Sequence, residues 1–135
     1  MARRAAFVLS GCGNMDGTEI HEAVSALIAL DRGGFEVVYT APDIPQSVTM
    51  DYLSGEDAGE TREVLREGAR IARGDAVALA DLEEDDYDLV VLPGGFGAAL
   101  NISTFGTEGE SCSVNPEVRE LLERAHEAGK PIAAM

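Results

Sequence analysis

Four short apolar runs constrain this chain most: Ala5-Ala6-Phe7-Val8-Leu9, Phe35-Glu36-Val37-Val38-Tyr39-Thr40, Leu89-Val90-Val91-Leu92 and Pro131-Ile132-Ala133-Ala134-Met135. The runs are close to continuous rather than alternating, the pattern of strands covered on both faces in a parallel sheet. Three stop at turn-forming residues: Ser10-Gly11-Cys12-Gly13, Ala41-Pro42-Asp43 and Pro93-Gly94-Gly95-Phe96-Gly97. Between the first two, apolar residues Ile20, Ala23, Val24, Leu27 and Ile28 recur at helical spacing, and Gly33-Gly34 closes the segment. Strand, helix and strand in that order make a βαβ unit, so the expected class is α/β with a mainly parallel sheet.

Further along, residues 44–59 read as an irregular polar excursion, 60–73 as a helix, 77–79 as a short strand and 81–86 as an acidic solvated loop. Asn115-Pro116 opens a last helix through Ala128, and Gly129 caps it before a final buried strand. With 135 residues and no linker, the chain is expected to be a single domain, incomplete at its C-terminus. Hydrophobic residues make up 45% and aromatics 5%, without Trp, so the core must be aliphatic.

Twenty-five acidic residues against nine Arg and one Lys give a formal charge of −15. Such a field opposes nucleic acid and anionic membrane surfaces as partners. The acidity fits a saline cytoplasm and an ordinary acidic soluble protein alike. Cys12 and Cys112 form no CxxC or Cys/His cluster, so no disulfide framework and no metal site is expected. The apolar run after Arg3-Arg4 is too short for a signal peptide and none reaches membrane-spanning length, so a cytoplasmic location is expected.

Chemistry concentrates at two turns. Gly11-Cys12-Gly13-Asn14-Met15-Asp16 misses the spacing of a dinucleotide-binding loop, because Asp16 stands where the third glycine belongs and would oppose a pyrophosphate. Glu19 and Glu22 open the following helix; the helix dipole accounts for Glu19, whereas Glu22 also lies where an open α/β sheet holds its ligands, and reads as a candidate general acid and base. Gly94 and Gly95 read either as a turn required by geometry or as backbone N–H donors to an oxyanion. Cys12 is either a small turn filler or a thiol activated near a helix N-terminus. Arg62, Arg66, Arg70 and Arg73 form either an anion or subunit patch or a solvated face paired with Glu63 and Glu67. His21 and His126 have no metal-like or triad-like neighbour and are assigned to surface or packing.

The blocks Val8 to Gly13, Asp16 to Ala23, Ala69 to Gly74, Pro93 to Ala99 and Ala128 to Pro131, taken together, resemble the enhancing-lycopene-biosynthesis (ElbB) proteins, isoprenoid-biosynthesis glyoxalases of the PfpI superfamily related to class I glutamine amidotransferases. The resemblance runs from Ala5 to Met135. It implies a flavodoxin-like three-layer sandwich, a homodimer, and a cysteine on a strained turn directly after the strand that here reaches Met135. It also implies a cofactor-free, metal-free conversion of a small 2-oxoaldehyde such as methylglyoxal to a hydroxyacid, with Glu22 carrying protons and Gly94 and Gly95 holding the oxyanion. On that reading the 135-residue chain alone is inactive. A non-catalytic stress-response or binding module of the same fold is the competing expectation, and a glutamine amidotransferase the weaker third.

Overall fold

The computed structural model describes residues 2–135. Five parallel strands form one sheet in the order β5, β2, β1, β6, β7, where β1 is Arg3–Val8, β2 Phe35–Ala41, β5 Ala76–Ala78, β6 Leu89–Leu92 and β7 Ile132–Ala134. Central β1 runs in register with both neighbours, Phe7 opposite Tyr39 on β2 and Val91 on β6. Its alternation assigns it to two cores. Ala5, Phe7 and Leu9 pack with Ala23, Leu30 and Val64 on one face, while Ala6 and Val8 pack with Val118, Leu121 and Ala125 on the other.

Helices α1 (Ile20–Arg32) and α2 (Val64–Ile71) supply the first cover, and α5 (Pro116–Glu127), which follows the short helices α3 (Phe96–Leu100) and α4 (Phe105–Glu108), the second. The result is the three-layer α/β sandwich expected. Each large residue buried in it stabilises the fold by about 1.5–3 kcal/mol. The α5 start is set by Asn115, whose side chain accepts from the N–H groups of Glu117 and Val118, with Pro116 in the first turn. From β1 the chain steps through α1 to β2 and on to β5, then returns to the opposite side of β1 for β6 and β7. The order therefore reverses between β1 and β6, the switch point beyond whose carboxyl ends open α/β sheets have their ligand crevice.

Several expectations are corrected. Residues 44–59 carry a hairpin, β3 (Met50–Asp51) with β4 (Glu56–Asp57), and a Pro45–Glu63 bridge replaces the first turn of the helix expected over 60–73. The acidic stretch 81–86 includes a 3-10 turn at Glu84–Asp86 closed by its own side chains: Glu83 N–H donates to Asp86. The last strand, β7, expected to be buried, pairs with β6, and among the described residues nothing covers its three residues. On α1, Ala23 and Leu30 face the core, whereas Ile20, Val24 and Ile28 are 42%, 45% and 48% exposed. The apolar pattern is wider than the stripe the sheet can cover.

Candidate active site

Two turns meet at the crevice, the one between β1 and α1 and the one between β6 and the short helix α3 (Phe96–Leu100). Backbone hydrogen bonds join them: Glu19 N–H to the Gly94 carbonyl at 2.8 Å, Phe96 N–H to Asn14 at 2.9 Å and Gly97 N–H to Gly17 at 2.9 Å. Glu19 is the α1 N-cap and accepts from Glu22 N–H at 2.7 Å. That bond, ahead of the contacts from His21, holds the Glu19 carboxyl below its ordinary range. Glu19 is thus engaged as a cap, whereas Glu22 lies against Gly94.

Glu22 Oε2 is buried and makes no hydrogen bond among the described residues. A methyl group on Gly94 would overlap that oxygen and lie 3.0 Å from the Met135 carbonyl, so the carboxylate, the β6 turn and the end of β7 occupy one spot. Gly95 has φ +113°, and a Cβ there would run into the Gly17 carbonyl and the Glu19 amide. Backbone requires the glycine at 95, whereas at 94 the closest obstacle is the far end of a side chain. Whereas the N–H groups of Phe96 and Gly97 are engaged across the turn, those of Gly94 and Gly95 make no such backbone bond among the described residues. The structure thus brings Glu22 and Gly94 together, with Gly95 adjacent.

Behind this spot stands a polar lattice that the sequence did not announce. Buried Asp16 accepts from Tyr52 Oη at 2.5 Å and from Met50 N–H at 2.8 Å, tying the β3–β4 hairpin to the β1–α1 turn. Asn101 Nδ2 donates to the carbonyls of Ser10 and Asp16, 2.8 Å each, and Asn101 Oδ1 accepts from Ser47 N–H at 2.9 Å. Burial, and next the bond to Asp16, push the Tyr52 hydroxyl up to about 12. Asp16 therefore does have a role at the turn, as an anchor. The only local hint was an acid among glycines; its partners lie 34 to 85 positions away.

Cys12 is corrected. Burial first, then the Glu67 carboxylate, push its thiol above the ordinary value, although Arg70 opposes them. This is the reverse of activation. The arginine face is divided as well: Arg62 pairs with Glu60 and Glu67, and Arg70 with Glu67 at 2.8 Å. No group of three or more His, Cys, Asp or Glu among the described residues is placed to hold a metal ion, and no helix there is long and apolar enough to cross a membrane.

No protein-family model matches the chain. A crystal structure of an isoprenoid biosynthesis protein with an amidotransferase-like domain from Ehrlichia chaffeensis superposes with a TM-score of 0.91 at 37% identity, over 97% of this chain and 62% of that one. The fold is amidotransferase-like. The human glutamine amidotransferase-like class 1 domain-containing protein 3, mitochondrial, is 54% identical over 132 residues, 97% of this chain and 49% of that protein. The rat ES1 protein homolog, mitochondrial, is 53% identical over 130 residues, 96% and 49% respectively. The chain spans about half the length of the curated relatives it matches. Both are mitochondrial proteins, which overturns the cytoplasmic expectation. That expectation rested on hydrophobic length alone, and targeting to an organelle does not require a long apolar run.

Proposed function

We propose that the crevice beyond β1, β6 and β7 serves a cofactor-independent glyoxalase reaction of the glyoxalase III type, turning a 2-oxoaldehyde such as methylglyoxal into a 2-hydroxyacid. The observation that supports this reading is Glu22 Oε2, buried beside Gly94 and the Met135 carbonyl and without a hydrogen bond among the described residues. An unpaired buried carboxylate oxygen costs stability, and such groups concentrate where a proton is to be moved.

By the ElbB resemblance, the thiolate comes from a cysteine directly after β7. It adds to the aldehyde carbon, forming a C–S bond while the carbonyl oxygen becomes an alkoxide that the N–H groups of Gly94 and Gly95 stabilise. Once this oxygen is protonated, Glu22 takes the C1 hydrogen as a proton and the electron pair moves into an enediol. Glu22 returns the proton to the C2 carbon while the C1 hydroxyl proton passes to the C2 oxygen, which leaves a thioester of the 2-hydroxyacid. Water then cleaves the C–S bond and frees both acid and thiol. C1 is oxidised as C2 is reduced, so no outside redox partner enters. The Ehrlichia protein's name supports a role beside isoprenoid biosynthesis, and the resemblance supports a homodimer.

The test is lactate formation from methylglyoxal by the whole natural protein, followed by NMR. Glu22→Gln should lower kcat by roughly 10²–10⁴-fold and leave KM within a few-fold. A wild-type protein that forms no lactate would overturn the proposal. If its deletion phenotype were nevertheless rescued by Glu22→Gln, the non-catalytic module would take its place.

A further inference from the structure

The exposed side of α1 is also the wall of a groove. Ile20, Val24 and Leu27 of α1, Tyr39 of β2, and Arg70 and Arg73 at the end of α2 line a space of about 590 Å³. That volume is in the range of small-molecule sites, which are mostly apolar with a few convergent polar groups. Ile20 and Glu22 are two positions apart, about 200° around the helix, so this groove lies on the far side of α1 from the crevice.

Charge indicates what fits it. In a chain of net −15, four of nine arginines fall between residues 62 and 73. Arg62 and Arg70 share Glu67, but Arg73 makes no ion pair among the described residues. Arg73 is also the one non-glycine residue there with a left-handed backbone, φ +54°. That conformation turns the chain out of α2 with an arginine at the rim. Arg73, without an ion pair among the described residues, beside Arg70, which the ligand would relieve of Glu67, over a floor of Ile20, Val24, Leu27 and Tyr39 suits a ligand with an anionic head and an apolar body.

We propose that the groove between α1 and α2 binds a small organic anion, a carboxylate or phosphate on a short aliphatic chain, with its head at Arg70 and Arg73 and its body against Ile20, Val24 and Leu27.

The test titrates the whole natural protein with hexanoate and with hexyl phosphate, following ¹H–¹⁵N spectra of backbone amides and arginine Nε–H groups. Saturable shifts at Arg73, Arg70, Ile20 and Val24 are expected with at least one probe, and the tighter probe identifies the head. Arg73→Ala should weaken binding about tenfold, roughly 1.4 kcal/mol, Arg73→Lys much less, and Arg119→Ala on α5 not at all. Glu22→Gln should leave it unchanged, which separates this proposal from the glyoxalase reading. Equal binding of 1-hexanol would remove the anionic head from the proposal and overturn it; equal binding of inorganic phosphate would do the same for the aliphatic body. Silence of the groove signals in a dimer that Val24→Asp makes monomeric would assign the face to a second copy, and silence in a monomer would refute the site.

Discussion

The Glu22 carboxylate fills the space in which a side chain on Gly94 would have to lie. A flexible side chain can swing away, however, so the position tolerates a methyl group structurally while losing its geometry. Gly94→Ala should therefore cost little stability, under about 1 kcal/mol, and yet lower turnover by an order of magnitude or more. Urea unfolding beside kcat measurement checks this, and a stability loss matching the activity loss would contradict it.

At Gly95 the obstacle is backbone, the Gly17 carbonyl and Glu19 amide, and φ is +113°. Nothing there can rotate aside. Gly95→Ala should destabilise by about 2–4 kcal/mol, read as a lower urea midpoint at unchanged m-value.

Tyr52→Phe removes the hydroxyl that donates to Asp16 and accepts from Met15 N–H at 3.0 Å. The expected loss is about 1–2 kcal/mol. Because the folded hydroxyl titrates near 12, above its ordinary value of 10, its contribution is fully present below pH 10 and is lost as pH rises toward 12. The stability gap between wild type and variant should accordingly narrow over that window, and a constant gap would place the effect elsewhere.

The Cys12 thiol, raised by burial and Glu67, should react with iodoacetamide more slowly than a free cysteine at pH 8. Glu67→Gln removes the second cause and should speed alkylation several-fold. Mass spectrometry of the Cys12 peptide gives the rates.

Strand and helix identities were legible because both periods are clean: the run 5–9 is apolar on both faces and α5 carries its own cap at Asn115. Boundaries were less so. The helix expected from 60 begins at Val64 because Glu63 is held in a bridge to Pro45, a pairing 18 positions distant that no local pattern encodes. The two crevice turns could be named from glycines and a carboxylate, but their contact depends on β6 returning to the other side of β1. For the same reason Asp16 was read as a charge opposed to phosphate rather than as the acceptor for Tyr52 and Met50. On α1, spacing gives the helix but does not reveal how wide an apolar stripe the sheet will cover.

The alternation along β1, one residue to each layer in turn, has a consequence for how this molecule comes apart. Neither helical layer can detach while keeping that strand in place for the other, so the halves are expected to melt in a single step, and damage at Phe7 should loosen α5 as surely as it loosens α1.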